Sequence, residues 1–137
     1  EMNRLLANDQ IPDAIVCGND AIADSVIQSI SKYSPDKEIA ICGQDADIIA
    51  CKYIIQGKQS CTVYKPIPKL AELAAEYAVK LAKKENLQIP YRWKKSINNG
   101  YAEIPGVWIE PTLVNKENLD EVIINSGFHP STSIYGN

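Results

Sequence analysis

The chain has 137 residues and a formal net charge of −3, a length that suits one ordinary domain. Its 45% apolar and 23% charged residues are typical of folded proteins and exclude a disordered chain. The acidic balance argues against nucleic acid as a partner, because nucleic-acid binding requires a basic surface. The single histidine, His129, excludes a histidine-based metal or catalytic cluster within this chain.

A strand–turn–helix pattern repeats through the first half of the chain. After a helical segment at 1–8, residues 13–17 predict a buried strand that leads into a turn and an amphipathic helix. The unit recurs as a strand at 38–42, a helix at 46–56 and a third strand at 60–64. Strands joined by helices of this length form parallel βαβ units. We therefore predict an α/β fold with a parallel sheet.

The second half is less regular. Two prolines make 65–68 a stiff connector, and 69–85 predicts a helix. Residues 87–101 are polar and irregular around a tight turn at Asn98-Asn99-Gly100, and 107–114 predicts an edge strand or a connector. A final helix at 115–126 precedes a tail at 128–137 that we expect to be frayed. The predicted buried face of helix 69–85 consists of Leu70, Leu73, Ala74, Tyr77, Ala78 and Leu81.

Polar side chains follow all three predicted strands. Ligands of open parallel sheets bind outside the carboxyl ends of the strands, and Asn19, Asp45 and Lys65 stand at those ends. They offer amide, carboxylate and ammonium groups. This set suits a polyhydroxylated ligand, because every sugar hydroxyl both donates and accepts hydrogen bonds. We therefore predict that Asn19, Asp45 and Lys65 bind a sugar.

Structural roles compete with this interpretation. Helix capping is the commoner role of Asn or Asp after a strand, and it is the favoured interpretation for Asp20 or Asp47. For Asp45, capping and ligand binding are evenly balanced. The basic and aromatic stretch at 91–95 favours a solvated loop over a nucleic-acid contact in this acidic chain. No P-loop, GxGxxG motif or catalytic triad is present, so we predict no enzyme activity and no cofactor.

Four cysteines, Cys17, Cys42, Cys51 and Cys61, form no CxxC pair and so do not support a zinc ribbon or a thioredoxin-type site. Three of them lie in short apolar runs, where a thiol behaves as a small hydrophobic group. Buried free thiols are the favoured interpretation. Disulfide formation is the alternative interpretation, because neighbouring strands would bring Cys17, Cys42 and Cys61 together.

Five segments carry a resemblance to a known family. They are DAIVCGNDA at 13–21, GQDAD at 43–47, TVYKPI at 62–67, NNG at 98–100 and GFH at 127–129. With these segments in this order, the chain resembles the type I periplasmic sugar-binding proteins, and most closely their xylose branch. The resemblance implies a two-lobed protein that closes on D-xylose or a similar monosaccharide, and it places the family's sugar-contacting residues on Asn19, Asp45 and Lys65.

The resemblance also implies a division of the chain. Residues 1–65 would form a βαβαβ portion of the C-terminal lobe, 66–109 would cross the hinge into the N-terminal lobe, and 110–137 would return. Family members have about twice this many residues, so we expect a companion N-terminal half or a fragment of a longer protein. The chain alone would leave an exposed sheet edge and an unmatched apolar helix face.

Three functions fit such a binder. The first is the extracytoplasmic component of an ABC permease, with a signal peptide or lipid anchor in the N-terminal part. The second is an extracellular xylose sensor that docks on a membrane histidine kinase. The third is the ligand-binding domain of a lactose-repressor-type regulator, which would carry a helix-turn-helix upstream. Sugar transport is the favoured interpretation.

Overall fold

The computed structural model describes residues 1–90 and 94–136, and its first half alternates strands and helices as the sequence predicts. The prediction for 91–95 lies mostly outside the described residues. By its contacts the chain forms two compact units, Glu1–Lys65 with Thr112–Asn137, and Pro66–Pro111. The first unit contains α1 (Met2–Ala7), β1 (Ala14–Val16), α2 (Asp20–Tyr33), β2 (Ala40–Cys42), α3 (Ile48–Ile55), β3 (Thr62–Tyr64), β6 (Thr112–Val114), a π-helical turn (Asp120–Ile124) and α5 (Ser131–Tyr135). The second contains α4 (Ile67–Ala82), β4 (Lys94–Asn98) and β5 (Glu103–Val107).

The strands of the first unit lie side by side. β1 and β2 pair in parallel, with Ile15 opposite Ile41. A parallel bridge between Cys42 and Cys61 then joins the end of β2 to the residue before β3. β3 pairs with β6 in the antiparallel direction. Hydrogen bonding thus runs from β1 through β2 and β3 to β6, and the predicted α/β class with parallel βαβ units is confirmed.

Two apolar clusters support these strands. The first joins α2 to β1 and β2. It buries the apolar stripe that makes α2 amphipathic, which consists of Ala23, Ile27, Ile30 and the half-buried Val26. The second joins α3 to β6, the π-helical turn and α5. The first cluster consists of Cys17, Ala23, Ile27, Ile30 and Ile41. The second consists of Ala46, Cys51, Ile54, Val114, Leu119, Ile123 and Ile134.

The C-terminal residues are more ordered than we predicted. The expected helix at 115–126 is shorter than predicted: a π-helical turn at Asp120–Ile124 is flanked by turns on both sides. The expected frayed tail contains α5, whose Ile134 is buried in the second cluster. The tail also carries His129, whose ring contacts the carbonyl of Ala46. The prediction of fraying was therefore wrong, because apolar and polar contacts both anchor this segment.

The second unit differs from prediction in two ways. Residues 87–101 are not wholly irregular, because β4 pairs with β5 around the predicted Asn98-Asn99-Gly100 turn. The predicted buried face of α4 is mostly exposed, and Leu73 is its only buried member among the described residues. Leu70 and Leu81 are 50% and 61% exposed. In β1 of the first unit, Val16 is 87% exposed, so the face of the strand that carries this side chain is not covered there.

Candidate functional site

Two of the three predicted site residues are in direct contact at the carboxyl ends of β2 and β3. Lys65 Nζ lies 2.6 Å from Asp45 Oδ1, and both side chains are 40% exposed. The backbone brings them together, because Asp45 N donates to the carbonyl of Val63 at 2.9 Å. An ion pair this exposed contributes little to stability. Its charged groups stay accessible to a ligand that could hydrogen-bond to both.

Asn19 stands at the neighbouring strand end, but part of its side chain is already occupied. Its Oδ1 accepts a hydrogen bond from Ile22 N at 2.9 Å, which makes Asn19 the N-cap of α2. The backbone beside it is tied to β2, since Asp20 N donates to the carbonyl of Gln44 at 2.8 Å. The Nδ2 amide of Asn19 makes no hydrogen bond within residues 1–90 and 94–136. That amide is the group that Asn19 can offer to a ligand.

The turn that carries Asp45 has an unusual backbone. Asp45 and Ala46 have φ angles of +102° and +55°, in the region that favours glycine. Hydrogen bonds hold the turn, since Ala46 N donates to Thr62 Oγ1 at 3.2 Å and His129 Nε2 lies 2.8 Å from Ala46 O. Strained residues of this kind cluster at ligand sites, where the surrounding structure enforces them. The turn thus holds the Asp45 carboxylate in place.

His129 supports the Asp45 turn, a role that its local sequence does not indicate. Its ring lies against Phe128 at a centroid distance of 4.3 Å, and Phe128 packs edge-on against Tyr64 at 4.8 Å. This aromatic row connects the C-terminal segment to β3 and to the Asp45 turn. The GFH segment at 127–129 carries part of the family resemblance, but nothing in its local pattern indicates a long-range contact.

A fully buried carboxylate, Asp20, lies beneath the site. Its oxygens accept hydrogen bonds from Thr62 Oγ1 at 2.8 and 3.0 Å, Gln59 Nε2 at 2.9 Å and Asp47 N at 2.9 Å. Asp20 therefore joins α2 to β3 and to the start of α3. Capping was predicted for Asp20 or Asp47, and for Asp20 it is wrong, because Asn19 is the N-cap of α2 and the Asp20 side chain is buried.

Asp47 occupies the N-cap position of α3 without a side-chain capping bond. Partial burial, and then the nearby carboxylates of Asp20 and Asp45, raise the pKa of Asp47, while His129 has a smaller opposite effect. A raised pKa in the folded state means that ionisation of this group opposes folding. Protonated Asp47 contributes favourably to the free energy of unfolding at pH values below its pKa in the unfolded state. This contribution is lost as the pH rises through its pKa in the folded state.

We therefore expect Asp47→Asn to stabilise the protein slightly at pH 7. The gain should be at most about 0.5 kcal/mol, because solvent screens an exposed group. It should vanish below about pH 3, where the carboxyl is protonated in both states. Urea unfolding at the two pH values measures this, with Asp36→Asn as the exposed control. A variant that is less stable at pH 7, or a gain that does not change with pH, would contradict the assignment.

A separate cavity of about 680 Å³ opens at the amino ends of β1 and β2. Asp13, Lys37, Glu38 and Ser60 contribute to its lining. The three predicted site residues stand at the opposite ends of these strands, where ligands of parallel sheets bind. Within the described part of the chain, no group of three potential metal ligands occurs and no helix is long and apolar enough to cross a membrane.

This α/β architecture, with polar side chains at the carboxyl ends of its strands, is that of a periplasmic binding protein. The family model for the periplasmic binding protein domain matches residues 1–86. The chain belongs to the type I periplasmic sugar-binding protein family.

Curated relatives of the chain carry a more specific name. A D-xylose-binding periplasmic protein of Haemophilus influenzae is 44% identical over 133 residues, which are 97% of this chain and 39% of that protein. The D-xylose-binding periplasmic protein of Escherichia coli is 42% identical over 132 residues, covering 96% of this chain and 39% of that protein. The chain thus spans 39% of the length of these two relatives.

Solved structures show the same fold. An ABC transporter solute-binding protein of Clostridium phytofermentans with bound β-D-glucose superimposes with a TM-score of 0.82 and 26% identity. That match covers 97% of this chain and 42% of the other. A carbohydrate transporter solute-binding protein of Chloroflexus aurantiacus in complex with D-glucose gives a TM-score of 0.79 at 25% identity, over 96% of this chain and 40% of that one.

Proposed function

We propose that this chain forms part of a sugar site in an extracytoplasmic solute-binding protein, and that it binds without catalysing a reaction. The observation that carries the proposal is the exposed Lys65–Asp45 pair, held at the strand ends beside Asn19 by a strained turn. The Nδ2 amide, the carboxylate and the ammonium group can each hydrogen-bond to a different sugar hydroxyl. The names of the curated relatives support a sugar ligand.

We propose D-xylose, or a close aldopentose, as the ligand. Support comes from two D-xylose-binding relatives at 44% and 42% identity. Hydrogen bonds to charged groups contribute about 1.5–3 kcal/mol each, whereas micromolar affinity requires about 8 kcal/mol. Residues outside this chain therefore supply further contacts in our proposal, which agrees with the 39% of each relative that the chain spans.

The mechanism we propose is lobe closure. A sugar that contacts both lobes only when they are closed shifts the equilibrium toward that state. Residues 66–109 would belong to the N-terminal lobe, with hinge crossings at 65–68 and near Pro111. The separation of Pro66–Pro111 as its own compact unit supports this division.

We propose delivery of the closed form to an ABC permease, because the Clostridium phytofermentans neighbour is an ABC transporter solute-binding protein. Docking on a membrane histidine kinase is the alternative. Reconstitution of the complete protein with each membrane partner distinguishes the two. Xylose-dependent stimulation of permease ATP hydrolysis supports transport, and stimulation of kinase autophosphorylation alone overturns it.

Asp45→Asn and Lys65→Ala should each weaken D-xylose binding at least about tenfold, because a charged hydrogen-bond partner is lost. Asparagine tolerates a positive φ, so Asp45→Asn removes charge without disturbing the turn. Isothermal titration of the complete protein with D-xylose measures both effects. Lys37→Ala, at the opposite ends of the strands, serves as the control and should leave affinity unchanged.

Two results would overturn the proposal. Unchanged affinity in either site variant would remove that residue from the site. Absence of heat with D-xylose in the parent protein, together with heat from an unrelated ligand, would remove the sugar assignment itself.

A further inference from the structure

Three cysteines lie on neighbouring strands of the first unit. Cys17 follows β1, and its backbone N donates to the carbonyl of Cys42 at 2.8 Å. Cys42 ends β2, and it forms a parallel bridge with Cys61 just before β3. Cys51 lies apart, in α3, where its thiol faces the carbonyl of Ala46. All four residues carry free thiols in the structure.

Among these cysteines, Cys42 and Cys61 form a close sulfur pair. The Cys61 thiol donates to the Cys42 sulfur at an Sγ–Sγ distance of 2.9 Å. A disulfide bond is about 2.05 Å long, so the sulfurs need to approach by only about 0.9 Å. Both residues are partly exposed, whereas Cys17 and Cys51 are buried. A small oxidant can therefore reach this pair more easily than the other two thiols.

We propose that Cys42 and Cys61 are a site of oxidative modification, where a disulfide forms between β2 and β3 by exchange with a small-molecule disulfide such as oxidised glutathione. The Cys42 thiolate attacks one glutathione sulfur, and the first glutathione leaves as a thiolate that takes up a proton. The Cys61 thiolate then attacks the Cys42 sulfur of the mixed disulfide and releases the second glutathione. The two thiols supply two electrons and two protons, and two reduced glutathione molecules form.

The bond would join the two chain segments that lead to Asp45 and Lys65. Cys42 ends β2 and is followed closely by Asp45, and Cys61 immediately precedes β3, which is followed by Lys65. The same strands are joined by hydrogen bonds from Gly43 N to Cys61 O at 3.1 Å and from Val63 N to Gly43 O at 3.2 Å. A covalent link here restrains local opening of β2 from β3. The proposal goes beyond sugar binding and does not depend on it.

The environment of the pair sets the rate of the reaction. Burial first, and then the hydrogen bond with Cys42, raise the pKa of the Cys61 thiol to about 12. Thiol–disulfide exchange requires a thiolate. The second step should therefore be slow at pH 7 and should accelerate as the pH rises toward 9.

Peptide mapping of the complete protein tests the proposal. The protein is incubated with oxidised glutathione at pH 8.5, its remaining thiols are alkylated, and it is cut with trypsin and a protease that cleaves before aspartate. Asp45 and Asp47 separate Cys42 from Cys51 in such a digest. We expect peptide 38–44 linked to peptide 59–69, a link that survives Cys17→Ala and disappears in Cys61→Ala. Amide hydrogen exchange at Gly43 and Val63 should slow at least about tenfold on oxidation.

Three results would overturn the proposal. The first is a Cys17–Cys42 link in place of the expected one, since Cys17 also neighbours Cys42. The second is glutathione retained on Cys42 or Cys61 without a cross-link. The third is complete alkylation of both thiols after prolonged oxidation of protein shown by circular dichroism to be folded.

Discussion

Replacing Asp20 with alanine is expected to lower the free energy of unfolding by at least about 3 kcal/mol. The carboxylate is fully buried, and it accepts hydrogen bonds from Gln59, Thr62 and the backbone of Asp47. Without it, the buried hydroxyl of Thr62 and the Asp47 amide lose their acceptor, and each unsatisfied buried group costs about 1–3 kcal/mol. Urea unfolding of the complete protein, followed by circular dichroism, measures the loss.

Two further variants define the origin of this effect. Asp20→Asn keeps one carbonyl oxygen but turns an amide donor toward other donors, so we expect a smaller loss of about 1–2 kcal/mol. Asp36→Ala changes an exposed aspartate and should stay within about 0.5 kcal/mol of the parent protein. If Asp20→Ala is as stable as Asp36→Ala, the buried network does not hold α2 to β3.

Gly43→Ala should lower the free energy of unfolding by about 3 kcal/mol, which is the second large effect that we expect. A Cβ at this position would lie 2.0 Å from Asp20 Oδ1 and 3.0 Å from Gln59 Nε2. Neither atom is free to move, because the same hydrogen-bond network holds both side chains. Overpacking of this kind costs about 1–3 kcal/mol, and displacing a hydrogen-bonded carboxylate adds to that cost.

Gly18→Ala is the matched control for this substitution. Gly18 precedes the polar residues after β1 as Gly43 precedes those after β2. A Cβ on Gly18 would meet only Ile22 Cδ1, at an ordinary contact distance of 3.9 Å. We expect the free energy of unfolding of Gly18→Ala to stay within about 0.5 kcal/mol of that of the parent protein. Equal losses in the two variants would show that the clash with Asp20 does not decide the outcome. Thermal and urea unfolding compare the pair.

The periodic part of the fold could be predicted from the sequence. Short, mainly apolar segments at 13–17, 38–42 and 60–64 predicted buried parallel strands, and the structure has β1, β2 and β3 within them. Each observed strand is three residues long and lies within the five residues predicted for it. The stripe on α2 is buried or half-buried as predicted because the helix packs on β1 and β2.

The failures share a physical cause. Whether an amphipathic face is buried depends on what packs against it, and the face of α4 is largely exposed in the structure. The tail at 128–137 has no helical periodicity, yet Ile134 and His129 anchor it by contacts with residues far away in sequence. Such long-range contacts leave no local pattern. The same limit explains the wrong capping assignment, since Asn19 and Asp20 are adjacent and equally suited to cap.

The candidate site could be predicted only as a set of strand ends. The sequence indicated that Asp45 and Lys65 would meet at one edge, and the structure brings them into contact. The sequence did not indicate the positive φ angles at Asp45 and Ala46 or the capping bond that occupies Asn19 Oδ1. Nor did it indicate that the carboxylate of Asp20 is buried. The sugar-binding role of these three residues stays a prediction.

A crystal structure of the complete protein grown with D-xylose tests that role most directly. We predict sugar hydroxyls within about 3.2 Å of Asn19 Nδ2, of an Asp45 carboxylate oxygen and of Lys65 Nζ. D-xylose bound at the amino ends of the strands, in the cavity lined by Asp13 and Lys37, would contradict the assignment. So would a sugar elsewhere in the protein that leaves Asp45 and Lys65 paired only with each other.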